Sequence, residues 1–322
     1  SAPKLRILAA RHRDLTSWLN ARKNHDDLAY WQAKLGGELP ILDLPTDKPR
    51  PAHKSYRGDV RVRSMDVRLV YALRTVASRY NVTLFMLLVA TVKVLLAKYS
   101  GQRDIVVGHP SAGRQHPAFE GQVGFFINTV VLRDQVEPHR TFAELLAAVR
   151  QTVLEGLEHQ NYPFEDLVQD LGVIRDVSRH PIFDVMVTYE PAAASALALP
   201  GVEVQPLQTD SHTSKFDLVF AFNGDDASME AVLEYSTDLY EAASIERMLH
   251  HMMTLFESVV TFPHRPIGLL RLLADEEWDA LNQHTQMAVH ADADDSIVSR
   301  FEQMAARHAD VVAVVFAEQR LT

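Results

Sequence analysis

Apolar positions along the chain fall into two rhythms, three-to-four residues apart in some stretches and alternate in others, which separates helices from strands. Residues 26–36 open on acidic side chains, repeat Leu28, Trp31 and Leu35 at helical spacing, and close on glycine. The proline-rich stretch 40–51 cannot continue that helix, and YRGDVRVRSM (56–65) alternates as a strand does. Two helices are predicted between 66 and 100, split near Asn81 and ended by Ser100 and Gly101. Strands follow at DIVVGHP (104–110) and GFFINTVVLRDQV (124–136). The amphipathic helix from 142 is started by Thr141, with Glu144 three residues on in a capping-box pattern. Beyond the turn-rich RDVSRHP, strands are predicted at 182–189, 202–208, 215–223 and 229–236, then a helix over 243–261.

Strands separated by helices in the first half and clustered in the second predict a mixed α/β (α+β) layout, one mixed sheet with helices packed on one face. Prolines 263 and 266 and the acidic runs Asp275–Glu277 and Asp292–Asp295 suit a linker over 263–294, with one short helix near 275–282. A further helix and strand then begin a separate unit at 295–322, leaving 1–262 as the main domain.

Composition narrows the chemistry. Of 322 residues, 47% are apolar and 23% charged, which is globular. A formal charge of -10 offers no field for a phosphate backbone, so nucleic acid is not an expected partner, and with no uninterrupted apolar run of membrane-spanning length neither is a membrane. With no cysteine there is no thiolate nucleophile or disulfide, and no metal site is predicted. The N-terminus lacks an apolar signal core, and the longest apolar stretch, 83–101, carries Lys93 and Lys98, which reads as a core helix beneath a partly wet surface. The cytoplasm is the expected location.

VGFFINTVVLR (123–133) resembles the fifth core motif of nonribosomal peptide synthetase condensation domains, with AGR (112–114) standing where that family has it. HQNYPFEDLV from His159 is similar to the sixth motif and RDVSRHPIF from Arg175 to the seventh; RDLTSWL at Arg13 looks like a degraded fourth. YWQAKL, LPTDKPRP, SKFDL and EYSTDLY add echoes in family order, and the tail from Ser296 resembles the opening of an adenylation domain. The resemblance implies a chloramphenicol-acetyltransferase-like lobe, one of two flanking a tunnel entered by phosphopantetheine arms. It also implies amide formation between thioesters on upstream and downstream carrier proteins, with no cofactor bound directly. The family attributes catalysis to H-H-x-x-x-D-G in its N-terminal lobe, a string that does not occur here. The adjacent pair His250–His251 lies in a helix-period run without the Asp and Gly, so no catalytic residue is assigned.

On the same resemblance, Gly124, Phe125, Asn128, His109 and Arg114 are candidates for the tunnel wall. Asn128 could bond a pantetheine amide or could satisfy nearby backbone groups. Arg114 could pair with an acidic group of the other lobe or form a surface ion pair, and His109 could line the acceptor side or be a satisfied loop histidine. His159, Gln160, Pro163, Phe164 and Glu165 read as structural or lobe contacts, with a cation at a helix C-terminus and a rigid turn plugged into the core. Asp176 and Ser178 read as turn-stabilising, and Arg175 and Arg179 as ion-pair or carrier contacts. Three functions compete: half of a working acyltransferase, a non-catalytic docking platform for carriers or partners, and an epimerisation domain. The NTVVLR sequence and adenylation-like tail disfavour the third.

Overall fold

The structure is a computed structural model. It describes residues 25–114, 116–174, 176–191, 212–225, 228–285 and 296–322, together with positions 11, 14, 17 and 202. Two compact units divide it, 1–273 and 274–322.

In the first unit, α1 (His25–Leu35) precedes β1 (Gly58–Met65), α2 (Val67–Arg79), α3 (Leu84–Ser100) and β2 (Asp104–Ser111). Then come β3 (Asn128–Gln135), α4 (Phe142–Glu158), α5 (Phe164–Asp170), β4 (Val185–Pro191), β5 (Leu218–Gly224), β6 (Met229–Ser236) and α6 (Ala242–Thr261). Six strands form one mixed sheet in the order β1-β6-β5-β4-β2-β3, with β2, β4 and β5 parallel and the other pairings antiparallel. Register puts Leu218 opposite Tyr235, Phe220 opposite Leu233 and Phe222 opposite Ala231, so one face of β5 and β6 is wholly buried. The alternate positions Val219, Ala221 and Val232 are half-buried, as period-two side chains require. Helices α3, α4 and α6 cover the buried face, α4 over β3, α3 over β2 and β4, α6 over β1 and β6.

Local chemistry explains the boundaries. Thr83 caps α3 through Met86 N at 3.2 Å, and Gly101, in the left-handed region at φ 71°, ends it. The predicted Thr141–Glu144 capping box is present, with each residue bonded to the other's backbone N–H.

Three expectations change. Lys93 lies under no wet surface: it is fully buried, its ammonium bonded to Leu132 O at 2.9 Å and paired with Asp134, and burial pushes its pKa down. The strand expected from Gly124 starts at Asn128, leaving Gly124 and Phe125 in the loop before it. The segment 263–273 packs into the first unit: Ile267 N donates to Arg140 O at 2.8 Å, Gly268 N to Pro138 O at 2.8 Å, and Ile267 and Leu270 are buried. Of the strand expected over 202–208, residues 203–208 lie outside the described residues.

The second unit contains α7 (Asp275–Thr285), α8 (Ile297–Arg307) and a hairpin of β7 (Val314–Phe316) and β8 (Gln319–Leu321). Ser296 caps α8 through Ser299 N at 3.0 Å. No single helix among the described residues is long and apolar enough to cross a membrane.

Candidate functional site

Parallel strands whose onward connections run in opposite directions leave a crevice beyond their C-terminal ends, where ligands settle in open α/β sheets. Strands β2 and β4 meet that condition, since β2 continues to β3 on one side and β4 to β5 on the other. Their ladder is a single pair, Gly108 with Met186, after which they splay. The opening is a cleft of about 400 Å³ whose lining includes His109, Ser111, Arg114, Gly124, Phe126 and Glu190.

His109 bridges the splay. Its Nδ1 lies 3.0 Å from Val187 O and its ring packs on Phe85 with centroids 4.1 Å apart. A carbonyl only accepts, so Nδ1 carries the proton and a neutral ring keeps its Nε2 lone pair available. Burial pushes the pKa below the usual histidine value, outweighing the opposing effect of the Val187 bond.

Gly108 and Gly113 permit this shape. A Cβ on Gly108 would fall 2.2 Å from the Phe183 ring, and one on Gly113, at φ 64°, would fall 1.8 Å from Phe126 O. The Arg114 guanidinium sits 4.0 Å over the Phe126 ring and donates to Phe119 O, so its partners are local and it pairs with no carboxylate among the described residues. Phe126, buried, takes the cleft position expected of Phe125, which is 78% exposed.

Asn128 holds the turn behind the cleft. Its Nδ2 donates to Gln160 O at 2.7 Å and Tyr162 O at 2.8 Å, and its Oδ1 accepts from Phe164 N at 3.1 Å. Both amide hydrogens are thus spent on backbone, which supports the satisfied-amide reading over a bond to a pantetheine arm. Gln160 accepts from the Ser111 hydroxyl and donates to Leu157 O at 2.6 Å. His159 ends α4, bonds Asp27 through Nδ1 at 2.6 Å, stacks on Tyr30 at 4.1 Å, and accepts from Trp31 Nε1 at 3.1 Å through its carbonyl. Pro163 starts α5, Phe164 is buried against His180 and Phe183, and Glu165 is exposed in the first turn.

The other end of β4 and β5 is closed by charge. Arg50 reaches Asp217 through both terminal nitrogens and Ser178 O at 3.0 Å; Lys54 lies 3.4 Å from Asp217; Arg179 pairs with Asp184. Asp217 N donates to Asp184 O at 3.0 Å, which joins the two carboxylate residues through the backbone. Asp176 accepts from Ser178 N at 2.8 Å, and this bond holds its carboxyl below the usual range. Burial, reinforced by the charge of Asp217, raises the Asp184 pKa. Arg175 lies outside the described residues. The sequence reading gave no role to Arg50, Lys54, Asp184 or Asp217. The available signal was Arg50 and Asp217 inside two motif echoes, LPTDKPRP and SKFDL, and Asp184 at the head of an apolar strand; Lys54 carried none.

The condensation domain family model matches residues 9–282. Bacitracin synthase 3 of Bacillus licheniformis is 36% identical over 320 residues, which is 98% of this chain and 5% of that protein. Surfactin synthase subunit 1 of Bacillus subtilis (strain 168) is 36% identical over 324 residues, 99% of this chain and 9% of that protein. The chain therefore spans less than a tenth of the length of these relatives. Among solved structures, a four-domain nonribosomal peptide synthetase, holo-AB3403 bound to AMP and glycine, superposes with TM-score 0.72 at 25% identity, covering 78% of this chain and 20% of that one. The X-domain in complex with OxyB from teicoplanin biosynthesis gives TM-score 0.75 at 26% identity, covering 85% and 63%. With a family match across most of its length and the mixed sheet of its solved relatives, this chain belongs to the condensation domain family.

Proposed function

We propose that the chain is the C-terminal lobe of a nonribosomal peptide synthetase condensation domain, and that the cleft between β2 and β4 forms part of the wall along which a carrier-bound acceptor reaches the donor. The observation that carries this reading is the cleft itself: a switch-point crevice lined by residues of the AGR and fifth motifs, with a neutral histidine at its edge. In the reaction, the acceptor amine attacks the donor thioester carbonyl, the C–N bond forms as C–S breaks, and the amine proton leaves with the freed thiol. Gly124 and His109 line the cleft, and Asn128, Gln160 and Ser111 keep it open by fixing the 159–164 turn. The histidine motif that handles the amine proton belongs to the other lobe, and the phosphopantetheine arms belong to the carriers. Residues 295–322 are assigned to the start of an adenylation domain, supported by relatives whose similarity runs through 98% or more of the chain, past the family match.

A second reading is a docking platform without chemistry. The X-domain, a structural relative, was solved in complex with OxyB, so this architecture serves as a partner surface in at least one protein. One experiment separates the two. Donor and acceptor carriers, both loaded, are mixed with the chain alone and with the chain joined to an H-H-x-x-x-D-G lobe, and the dipeptidyl thioester is sought by mass spectrometry. Product only with the joined lobe is expected. No product in either case favours the platform, and turnover by the chain alone overturns the assignment of chemistry to the other lobe.

A further inference from the structure

At the charged end of the sheet, one deeply buried carboxylate oxygen has no hydrogen-bond partner, and a buried tyrosine lines the cavity beside it. Asp184 is 6% exposed; one carboxylate oxygen meets Arg179, while Oδ1 has no hydrogen-bond partner. Tyr240 is 2% exposed; burial, then the charge of Asp217, raises its pKa. Both residues line the same cavity of about 110 Å³, between the 42–50 segment and the start of β4 and β5.

The walls define what fits. Asp43, Asp184 and Asp217 line the cavity with Arg50 and Arg179, and Lys54 lies on Asp217, so three carboxylates meet three cations. An ion of either sign would upset that balance. Asp184 Oδ1 lacks a donor, and Tyr240 lines the same cavity with a hydroxyl able to donate, so a neutral occupant that both donates and accepts fits the walls. Leaving a buried carboxylate oxygen without a donor costs about 1–3 kcal/mol or more. Internal waters occupy such sites with two to four bonds each, and a water needs only about 10–15 Å³ of accessible volume.

We infer that this cavity is a built hydration site, in which water accepts from the Tyr240 hydroxyl and donates to Asp184 Oδ1, joining the start of β4 to the turn before α6 beneath the 42–50 segment. Arg50 and Arg179 fix the geometry from the sides, and Leu42 and Leu44 close it with apolar surface.

A crystal structure of the full chain, with and without a bromide soak, tests the occupant directly. Density for water within hydrogen-bond reach of both atoms, and no bromide peak, is expected. No density there, or a bromide ion, overturns the inference. Melting supplies the second arm, using Tyr240→Phe, Asp184→Asn and the double variant. Tyr240→Phe should lower Tm by about 2–4 °C, and the double variant should lose less than the sum, because both residues act on the same water. Additive losses would overturn it. Should Asp184→Asn fail to fold, Tyr240→Phe alone decides, an unchanged Tm counting against the site.

Discussion

The two ends of strands β4 and β5 are built from opposite materials. At their start, Asp184 and Asp217 are buried with Arg50, Lys54 and Arg179, and the proline-rich 40–51 segment is tied down over them. At the C-terminal end of β4, the strand parts from β2 after one ladder pair, and a neutral histidine, rather than an ion pair, bridges the gap. Charges removed from water must be matched by neighbours in fixed positions, which makes the first end rigid and leaves it few alternatives. A neutral donor–acceptor edge makes no such demand and can exchange protein partners for a substrate at small cost. The closed end anchors, and the open end is where the proposed acceptor path runs.

The largest effect should come from unmatching the closed end. Asp217→Ala leaves Arg50 and Lys54 facing no carboxylate of their own, and should cost about 3–5 kcal/mol in urea unfolding. A loss under about 1 kcal/mol would mean that the cluster is solvated and the contrast false.

Acid should act on the same end. His180 is packed among Phe164, Phe183 and Phe216, and burial lowers its pKa from 6.5 to about 4. The unfolded chain then takes up this proton at higher pH than the folded one, so the stability is complete above about 6.5. It falls as pH drops towards 4 and levels off below, by at most about 3 kcal/mol. His180→Phe should flatten that part of the pH–stability curve, and an unchanged curve would remove His180 from the account.

Moving to the open end, Asn128→Ala breaks three bonds to the 160–164 backbone. We expect about 2 kcal/mol of destabilisation, with backbone shifts confined to the turn by NMR. Equal stability would return Asn128 to the tunnel wall as an uncommitted amide. His109→Phe should cost least, about 1 kcal/mol, because it gives up one bond to Val187 O while keeping an aromatic ring against Phe85. If the open end is the working one, this variant of a complete condensation domain should slow product formation more than it lowers Tm; parallel losses would make His109 structural.

Periodicity and caps made the scaffold legible in the sequence, because both are local. The Thr141–Glu144 box and the α6 boundary need no knowledge of distant residues. Gly124 and Phe125 were placed in a strand because GFFIN continues an apolar run; the ladder starts only at Asn128, where Ser111 faces it across the sheet. The charged cluster was hidden for a different reason. Arg50 and Asp217 are 167 residues apart, and nothing in either neighbourhood announces the other. For Lys93 the sequence shows an amphipathic cation but not Asp134, which lies 41 residues away and pairs with it in the core.

The single pair joining β2 to β4 also divides the sheet mechanically. Elsewhere the ladders run seven or eight residues, so a force pulling neighbouring strands apart is shared along the whole edge. Across this seam the load falls on Gly108–Met186, on the His109 bond to Val187 O, on Phe183 seated over Gly108, and on α3, which contacts both strands. The β2–β3 hairpin is therefore a separate plate hinged on side chains, and stretching the molecule should open the sheet there before any long ladder gives way.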